Sequence, residues 1–143
     1  NFITGSLYWL TGARREELEH RRKVEEIIDF LDLQSVRKAT AGTLPYGLRK
    51  RVELARAMAL EPKLILLDEP SEGLAPVIVQ DLMRVCRELA QAGQTILLIE
   101  QNIAATLALA SRVYILNNGH IVHEGPAADL KGRPELLQRY LGV

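Results

Sequence analysis

The chain has 143 residues, and 48% of them are apolar, which is enough for one packed domain rather than a disordered segment. Its 18 basic and 18 acidic residues cancel at pH 7, which excludes a global positive field that would attract nucleic acid or an anionic membrane. The single cysteine, Cys86, excludes an internal disulfide, and no apolar run approaches the ~20 residues that a membrane-spanning helix needs.

The first predicted element is an amphipathic helix over residues 14–33. Apolar residues recur there mostly at steps of three and four, namely Leu18, Val24, Ile27, Ile28 and Leu31. Acidic residues interleave the basic ones, so the charges form a solvated helix face rather than a nucleic-acid site. A second, basic helix is predicted to begin just after Gly47 and to end at Pro62.

From Pro62 onward, predicted strands and helices alternate. The apolar run over residues 64–67 predicts a strand that is covered on both faces, as in a parallel sheet. The following elements are a helix over 77–92, the strand Thr95–Ile99, a helix over 103–110, a strand over 113–116, a hairpin turn over 117–120 and a closing helix, Pro134–Leu141. The sequence therefore predicts an α/β fold in which residues 1–61 form a helical part and residues 62–143 an α/β part.

Two carboxylates, Asp68 and Glu69, directly follow the apolar strand. In such folds the phosphates and metal of a nucleotide are bound at the carboxyl ends of the strands. Mg²⁺ prefers hard oxygen ligands and keeps most of its waters, so one carboxylate is sufficient to hold it, and the other is free to orient an attacking water. The alternative hypothesis is that Asp68 caps the next turn and that Glu69 is merely solvated.

Three motifs, in this order and spacing, resemble those of the ABC ATPases. The first looks like the signature motif of that family, followed by its basic helix, and consists of Leu44, Pro45, Tyr46, Gly47 and Leu48. The second, the strand with Asp68 and Glu69, is similar to a Walker B strand. The third, residues 71–76, resembles the loop that crosses to the partner subunit. The resemblance extends to Gln101, at the switch position of the family, and to the hairpin, so it covers essentially the whole chain.

This resemblance implies a P-loop NTPase-like fold, here a partial parallel sheet with an N-terminal helical subdomain, the C-terminal part of the RecA-like core and a C-terminal β-hairpin. It also implies that Asp68 serves Mg²⁺, that Glu69 is the catalytic base and that Gln101 senses the γ-phosphate. The residues implied to contact ATP, held on an opposing subunit, are Leu44, Pro45, Tyr46, Gly47, Leu48, Ser71 and Gly73. The alternative hypothesis is that Gln101 only caps the helix that follows it.

The chain departs from the family pattern at Pro45, Tyr46 and Leu48, which replace Ser, Gly and Gln, and at Gln101, which replaces a histidine. The variants Leu-Pro-Tyr-Gly and Gly-Leu-Ala-Pro look most like the ATP-binding subunits of branched-chain amino acid importers. Such a subunit is implied to sandwich ATP and Mg²⁺ in a homo- or heterodimer with a second ATPase domain. It is further implied to drive transmembrane permease subunits from the cytoplasm, at the inner face of the cell membrane, and not to act on nucleic acid.

A phosphate-binding loop of the form Gly-x-x-x-x-Gly-Lys-Ser/Thr does not occur in the 143 residues. The chain therefore resembles a C-terminal fragment that, tested alone, is expected to bind ATP weakly and to be inactive, whereas the complete protein is expected to be an ATPase. A second hypothesis assigns a different class of function: the chain is a truncated, non-catalytic interaction module of the same fold. A third, an ABC-type ATPase that acts on nucleic acid or ribosomes, is disfavoured by the absent net positive charge.

Overall fold

A computed structural model describes the backbone of residues 2–141 and the side chains of residues 12–133 and 135–139. Contacts along the chain divide it into two compact units, Asn1–Ile65 and Leu66–Val143. In chain order the helices and strands are α1 (Phe2–Phe30), α2 (Tyr46–Met58), β1 (Leu64–Asp68), α3 (Pro76–Gln91), β2 (Thr95–Ile99), α4 (Ile103–Leu109), β3 (Arg112–Asn117), β4 (His120–Pro126), α5 (Ala127–Lys131) and α6 (Pro134–Leu141). This order confirms the predicted α/β fold. None of the described helices combines the length and the apolar character that crossing a bilayer requires.

The first unit is helical, and its long helix α1 ends in a defined cap. Asp32 adopts the left-handed conformation with a φ of 53°. Hydrogen bonds from Leu33 N to Ile28 O (2.9 Å) and from Asp32 N to Asp29 O (3.2 Å) close the last turn in the pattern of a Schellman motif. Helix α1 therefore ends at Phe30, before the predicted residue 33, because Asp32 reverses the chain.

Two short 3-10 helices, Gln34–Val36 and Ala41–Thr43, connect α1 to α2. The buried apolar residues of this unit include Leu31, Leu33 and Leu54. Arg51 on α2 donates a hydrogen bond of 3.2 Å from Nη1 to the carbonyl oxygen of Leu31, which fixes α2 against the end of α1. At the surface, the ammonium group of Lys23 pairs with Glu61, and this hydrogen bond raises the pKa of Lys23 and lowers the pKa of Glu61.

The second unit begins within β1, which forms a parallel pair with β2, and α3 connects the two strands. Helix α3 is amphipathic, and its buried face consists of Leu82, Met83, Val85, Cys86 and Leu89. It begins with Pro76. Proline costs no hydrogen bond at this position, because an N–H in the first turn has no acceptor within the helix. The helix ends before Gly93, whose φ of 94° allows Gln94 N to donate to Leu89 O at 3.0 Å. Cys86 is 0% exposed, so its thiol is a packed apolar group, and burial raises its pKa to about 11.

The C-terminal part of the second unit contains the antiparallel hairpin of β3 and β4, in which Asn117 pairs with His120. Between them, Asn118 and Gly119 both have positive φ, at 48° and 78°, which is what a type I′ turn requires. The hairpin turn predicted from the sequence is therefore confirmed. One face of the hairpin packs with α5 in a small core that contains Val113, Ile115, Ala127 and Leu130.

One expectation about β1 is wrong for the residues that the structure describes. Ile65 is only 3% exposed, but Leu64 and Leu66 are 49% and 57% exposed, so the strand is not covered on both faces. Leu97 and Ile99 on β2 are likewise 45% and 46% exposed. A continuous apolar run indicates two buried faces only where a layer packs on each of them, and the described residues cover one face.

Candidate functional site

Asp68 is the last residue of β1, and its side chain is exposed at the carboxyl end of that strand. Among the described residues, its carboxylate has neither a hydrogen-bond nor an ion-pair partner. The hypothesis that Asp68 caps the following turn is therefore not supported. An exposed carboxylate without a protein partner is suited to a cation that keeps most of its water.

Glu69 is constrained through both its backbone and its side chain. Its φ is 44°, which is uncommon for a residue other than glycine. Its amide donates to the carbonyl oxygen of Ile99 at 2.9 Å, and its Oε1 accepts a hydrogen bond from Nε2 of Gln101 at 2.6 Å. Glu69 is thus half-buried and oriented rather than freely solvated. The structure brings the two residues predicted to be catalytic into direct contact.

Gln101 does not cap α4, because Asn102 occupies the cap position. Oδ1 of Asn102 accepts a hydrogen bond of 3.0 Å from the amide of Ala105, and the backbone of Asn102 is extended. The alternative in which Gln101 is only a helix cap is therefore wrong, and its amide is available for Glu69. Asn immediately before a helical run is a strong cap signal that sequence reasoning missed.

The loop after Glu69 is held by Glu100, a residue that sequence reasoning did not single out. The amide of Ser71 donates to Oε1 of Glu100 at 2.8 Å in a partly buried position. Within the loop, Leu74 N donates to Ser71 O at 3.2 Å, and Gly73 has a φ of 70°, which favours glycine. No motif signals the role of Glu100, because the contact joins residues 29 positions apart.

The signature-like residues of the helical unit lie at the start of α2. Pro45 is the N-cap, and its carbonyl oxygen accepts the first helical hydrogen bond from Arg49 N at 3.0 Å. The helix therefore begins at Tyr46 rather than after Gly47, because proline with a φ of −52° is compatible with a cap and offers its carbonyl group. The amides of Tyr46, Gly47 and Leu48 precede that bond and have no acceptor within the helix. They form the positive end of the helix dipole, where an anion is favoured.

Two cations flank the ring of Tyr46. The guanidinium group of Arg49 lies 5.4 Å from the ring centroid, and the ammonium group of Lys50 lies 5.5 Å from it. Both distances are within the range of cation–π attraction. Two positive charges therefore lie close to Tyr46, at the first turn of α2.

The described side chains contain no group of three or more His, Cys, Asp or Glu that could hold a metal ion. A structural metal site of the zinc type is therefore not found in this part of the chain. Mg²⁺ needs fewer protein ligands, since it is bound by one or two carboxylates together with substrate phosphates and water. Asp68 fits that requirement.

An apolar cleft of about 320 Å³ lies within the helical unit, between α1, α2 and the segment that joins them. Its wall contains Val24, Ile28, Leu33, Leu44, Val52 and Ala55. Two arginines, Arg37 and Arg56, also line it, and both are exposed. Leu44 of the signature-like stretch is thus a cleft residue and half-buried, unlike the exposed Pro45 and Tyr46 that follow it.

The family model and two similar curated proteins all point to ABC transporters. The model of the ABC transporter family matches residues 5–72. The high-affinity branched-chain amino acid transport ATP-binding protein BraG of Pseudomonas aeruginosa is 37% identical over 132 residues, which are 92% of this chain and 57% of that protein. The lipopolysaccharide export system ATP-binding protein LptB of Acidithiobacillus ferridurans is 35% identical over 125 residues, which are 87% of this chain and 52% of that protein.

Solved structures agree with these relatives. An ATP-binding cassette of an ABC transporter in its ADP conformation matches with a TM-score of 0.75 and 32% identity over 87% of this chain and 51% of that one. The structure of cbiO1 from Clostridium perfringens, part of the ABC transporter complex cbiONQ, matches with a TM-score of 0.76 and 25% identity over 88% and 52%. The chain spans about half the length of the curated relatives that it matches. In sequence and in fold, the chain is therefore similar to ABC transporter ATP-binding proteins.

Proposed function

We propose that the chain belongs to an energy-coupling ATPase subunit in which two such domains sandwich ATP and Mg²⁺. The observation that carries this proposal is the pair of Glu69 and Gln101 at the carboxyl end of β1, joined by a hydrogen bond of 2.6 Å. A base for water activation needs a fixed orientation, and both the backbone and the side chain of Glu69 are held. Phosphoryl transfer depends mainly on such positioning and on charge stabilisation.

The residues of the second unit divide the chemistry between them. Glu69 orients the attacking water and accepts its proton, while Gln101 holds the carboxylate and offers an amide donor to a phosphate oxygen. Asp68 holds Mg²⁺, which supplies charge neutralisation on the phosphates when it is bound. We assign the base role to Glu69 because Gln101 orients its carboxylate, and the metal role to Asp68 because its carboxylate has no partner among the described residues.

The helical unit supplies an anion-binding helix end for ATP on the opposing subunit. The three amides of the first turn of α2 and the positive dipole end are directed at a γ-phosphate, and Gly47 leaves room for close approach. Pro45 contributes no N–H and Leu48 no polar side chain, so the backbone of Tyr46, Gly47 and Leu48 does most of the binding. Ser71 and Gly73 contact the opposing subunit from the loop after β1.

The experiment that tests this proposal measures ATP hydrolysis and nucleotide-dependent dimer formation by the full-length protein. We expect Mg²⁺-dependent turnover in the wild type and a stable ATP-bound dimer in Glu69→Gln, since the amide keeps the shape of the side chain but cannot accept the proton. A matched control is Glu135→Gln, an exposed carboxylate on α6. A full-length protein that binds no ATP would instead favour the non-catalytic interaction module.

We further propose that the transport system served is an importer of branched-chain amino acids. The variants at residues 44–47 and 73–76 support this, as does the 37% identity to BraG over 92% of the chain. LptB, an export-system protein at 35% identity, is the competing relative. Leucine-stimulated ATP turnover with a reconstituted permease and binding protein supports the importer, and stimulation only in a lipopolysaccharide export complex contradicts it.

The apolar cleft of the helical unit is the proposed contact for a permease, which would hold the protein at the inner face of the cell membrane. Its apolar wall and the exposed Arg56 suit a short amphipathic helix that carries an acidic residue, whereas Arg37 is already paired with Glu25. Val24→Glu places a charge on that wall and is expected to weaken permease binding at least tenfold. Leu18→Glu is the matched control, because Leu18 is exposed on the same helix but does not line the cleft.

A further inference from the structure

Ile99, Glu100 and Gln101, at the end of β2 and just after it, each form one hydrogen bond with the segment 69–71, which follows β1. Ile99 O accepts the amide of Glu69 at 2.9 Å, and Gln101 Nε2 donates to the side chain of the same residue at 2.6 Å. Between these two bonds, Glu100 Oε1 accepts the amide of Ser71 at 2.8 Å. The segment 69–71 is therefore fixed by three hydrogen bonds from one short stretch of chain.

The bond from Glu100 is the one that reaches the loop. Ser71 and Glu100 are both half-buried, so the amide of Ser71 is partly shielded from water and needs a protein acceptor. A carboxylate is a stronger acceptor than a neutral oxygen because its charge strengthens the hydrogen bond. Ser71 O in turn accepts the amide of Leu74, so an ordered Ser71 orders the turn that contains Gly73.

We propose that Glu100 is a positioning residue that ties the loop over residues 71–75 to the switch residue Gln101. This inference rests on the proposed function, because the loop and Gln101 are assigned to nucleotide contact there. Glu100 and Gln101 are adjacent, so a displacement of the end of β2 moves both hydrogen bonds together. A change at Gln101 on arrival of the γ-phosphate is thereby passed to Ser71 and to the loop that faces the opposing subunit.

The test measures amide hydrogen exchange at Ser71 and Leu74 in the full-length protein. In Glu100→Ala we expect exchange at Ser71 to accelerate about tenfold or more, since the hydrogen bond that protects the amide is lost. In Glu100→Gln we expect a smaller acceleration, because the amide oxygen remains an acceptor without the charge. Glu135→Ala, which removes an exposed carboxylate on α6, is expected to leave exchange at Ser71 unchanged.

Turnover provides the second measurement. We expect Glu100→Ala to lower kcat about tenfold, corresponding to about 1.4 kcal/mol, while KM for ATP changes little and Glu100→Gln restores most of the activity. Unchanged exchange at Ser71 in Glu100→Ala would overturn the inference. So would equal acceleration at Ser71 and throughout α3, which would indicate a general loss of stability. Exchange at Ser71 is measurable without turnover, so an inactive wild-type protein contradicts the proposed function but not the contact.

Discussion

At the carboxyl end of β1, Glu69 and the loop that follows it are held by hydrogen bonds within the chain, whereas the first amides of α2 are open. Glu69 is fixed by Ile99 and Gln101, and the next loop is fixed by Glu100. By contrast, the first amides of α2 have no acceptor within the helix, and Pro45 offers no side-chain cap. Under the proposed function, the second unit supplies the chemistry and the helical unit receives the anion.

This difference predicts which step, turnover or dimer closure, a substitution in each unit affects. A change in the second unit removes a chemical step or loosens a group that is already positioned, so it acts mainly on turnover. A change at the start of α2 removes attraction for the nucleotide on the opposing subunit, so it weakens dimer closure and lowers turnover through that loss. The four predictions that follow are ordered from the largest expected effect to the smallest.

The first prediction concerns the two carboxylates. Glu69→Gln is expected to lower turnover by about a hundredfold to ten-thousandfold and to retain ATP binding, because only the proton acceptor is lost. Asp68→Asn is expected to weaken binding of Mg-ATP, because the amide lacks the negative charge that Mg²⁺ prefers. Steady-state turnover and calorimetric nucleotide binding check both variants. Equal loss of ATP binding in the two would contradict the division of roles.

The second prediction concerns Gly47 in the first turn of α2. Gly47→Asp is expected to reduce turnover about a hundredfold, because a carboxylate at this helix end repels the γ-phosphate. The same charge favours the helix dipole, so the free energy of unfolding is expected to stay equal or to rise by about 0.3–1 kcal/mol. Turnover and thermal denaturation are the two measurements. Gly47→Ala is the control for size, and a matching loss of turnover there would point to steric rather than electrostatic exclusion.

The third prediction concerns Gln101. Gln101→Ala is expected to lower turnover about tenfold to a hundredfold, in line with a lost hydrogen bond to a charged group of about 1.5–3 kcal/mol. Gln101→His is expected to retain activity and to add a pH dependence near the ordinary pKa of imidazole, about 6.5. A pH–rate profile of both variants checks this. Turnover that is unchanged in Gln101→Ala would show that neither its hydrogen bond to Glu69 nor a contact with the nucleotide contributes to turnover.

The fourth prediction concerns Cys86 on the buried face of α3. Its side chain is 0% exposed and burial raises its pKa to about 11, so little thiolate forms at pH 8. Labelling by a thiol reagent is expected to be slow in the native protein and fast in denaturant. Cys86→Ser is expected to reduce the free energy of unfolding by about 1–3 kcal/mol, because a hydroxyl is buried in an apolar site. Rapid labelling of the native protein would contradict the packing of α3.

The elements of the fold were predictable because their signals are local. Strand β2 and helix α6 match their predicted bounds, and the Asn118-Gly119 turn follows from the positive φ that only a few residues tolerate. The exposure of Leu64 and Leu66 was not predictable, because an apolar run carries no information on which layers cover a strand. The short helix α5 was missed because five residues give no periodicity.

The residues of the candidate site could be named from the sequence, but the contacts between them could not. Asp68 and Glu69 stand out because they follow an apolar strand, and Gln101 follows the next one. The bond between Glu69 and Gln101 joins residues 32 positions apart, and the bond to Glu100 joins residues 29 apart. Such distances depend on how β1 and β2 pair, which a single sequence does not specify.

The central claim is that one chain supplies Glu69 and the other supplies the start of α2 to the same ATP. Mixed dimers of differently tagged full-length chains test it most directly. In a dimer of Glu69→Gln with Gly47→Asp, both substitutions fall in one site and the other site is intact, so about half of the wild-type turnover is predicted. In a dimer of the doubly substituted chain with the wild type, each site carries one substitution, so turnover is predicted to be lost. The reverse pattern, or equal turnover in the two dimers, would contradict the shared site.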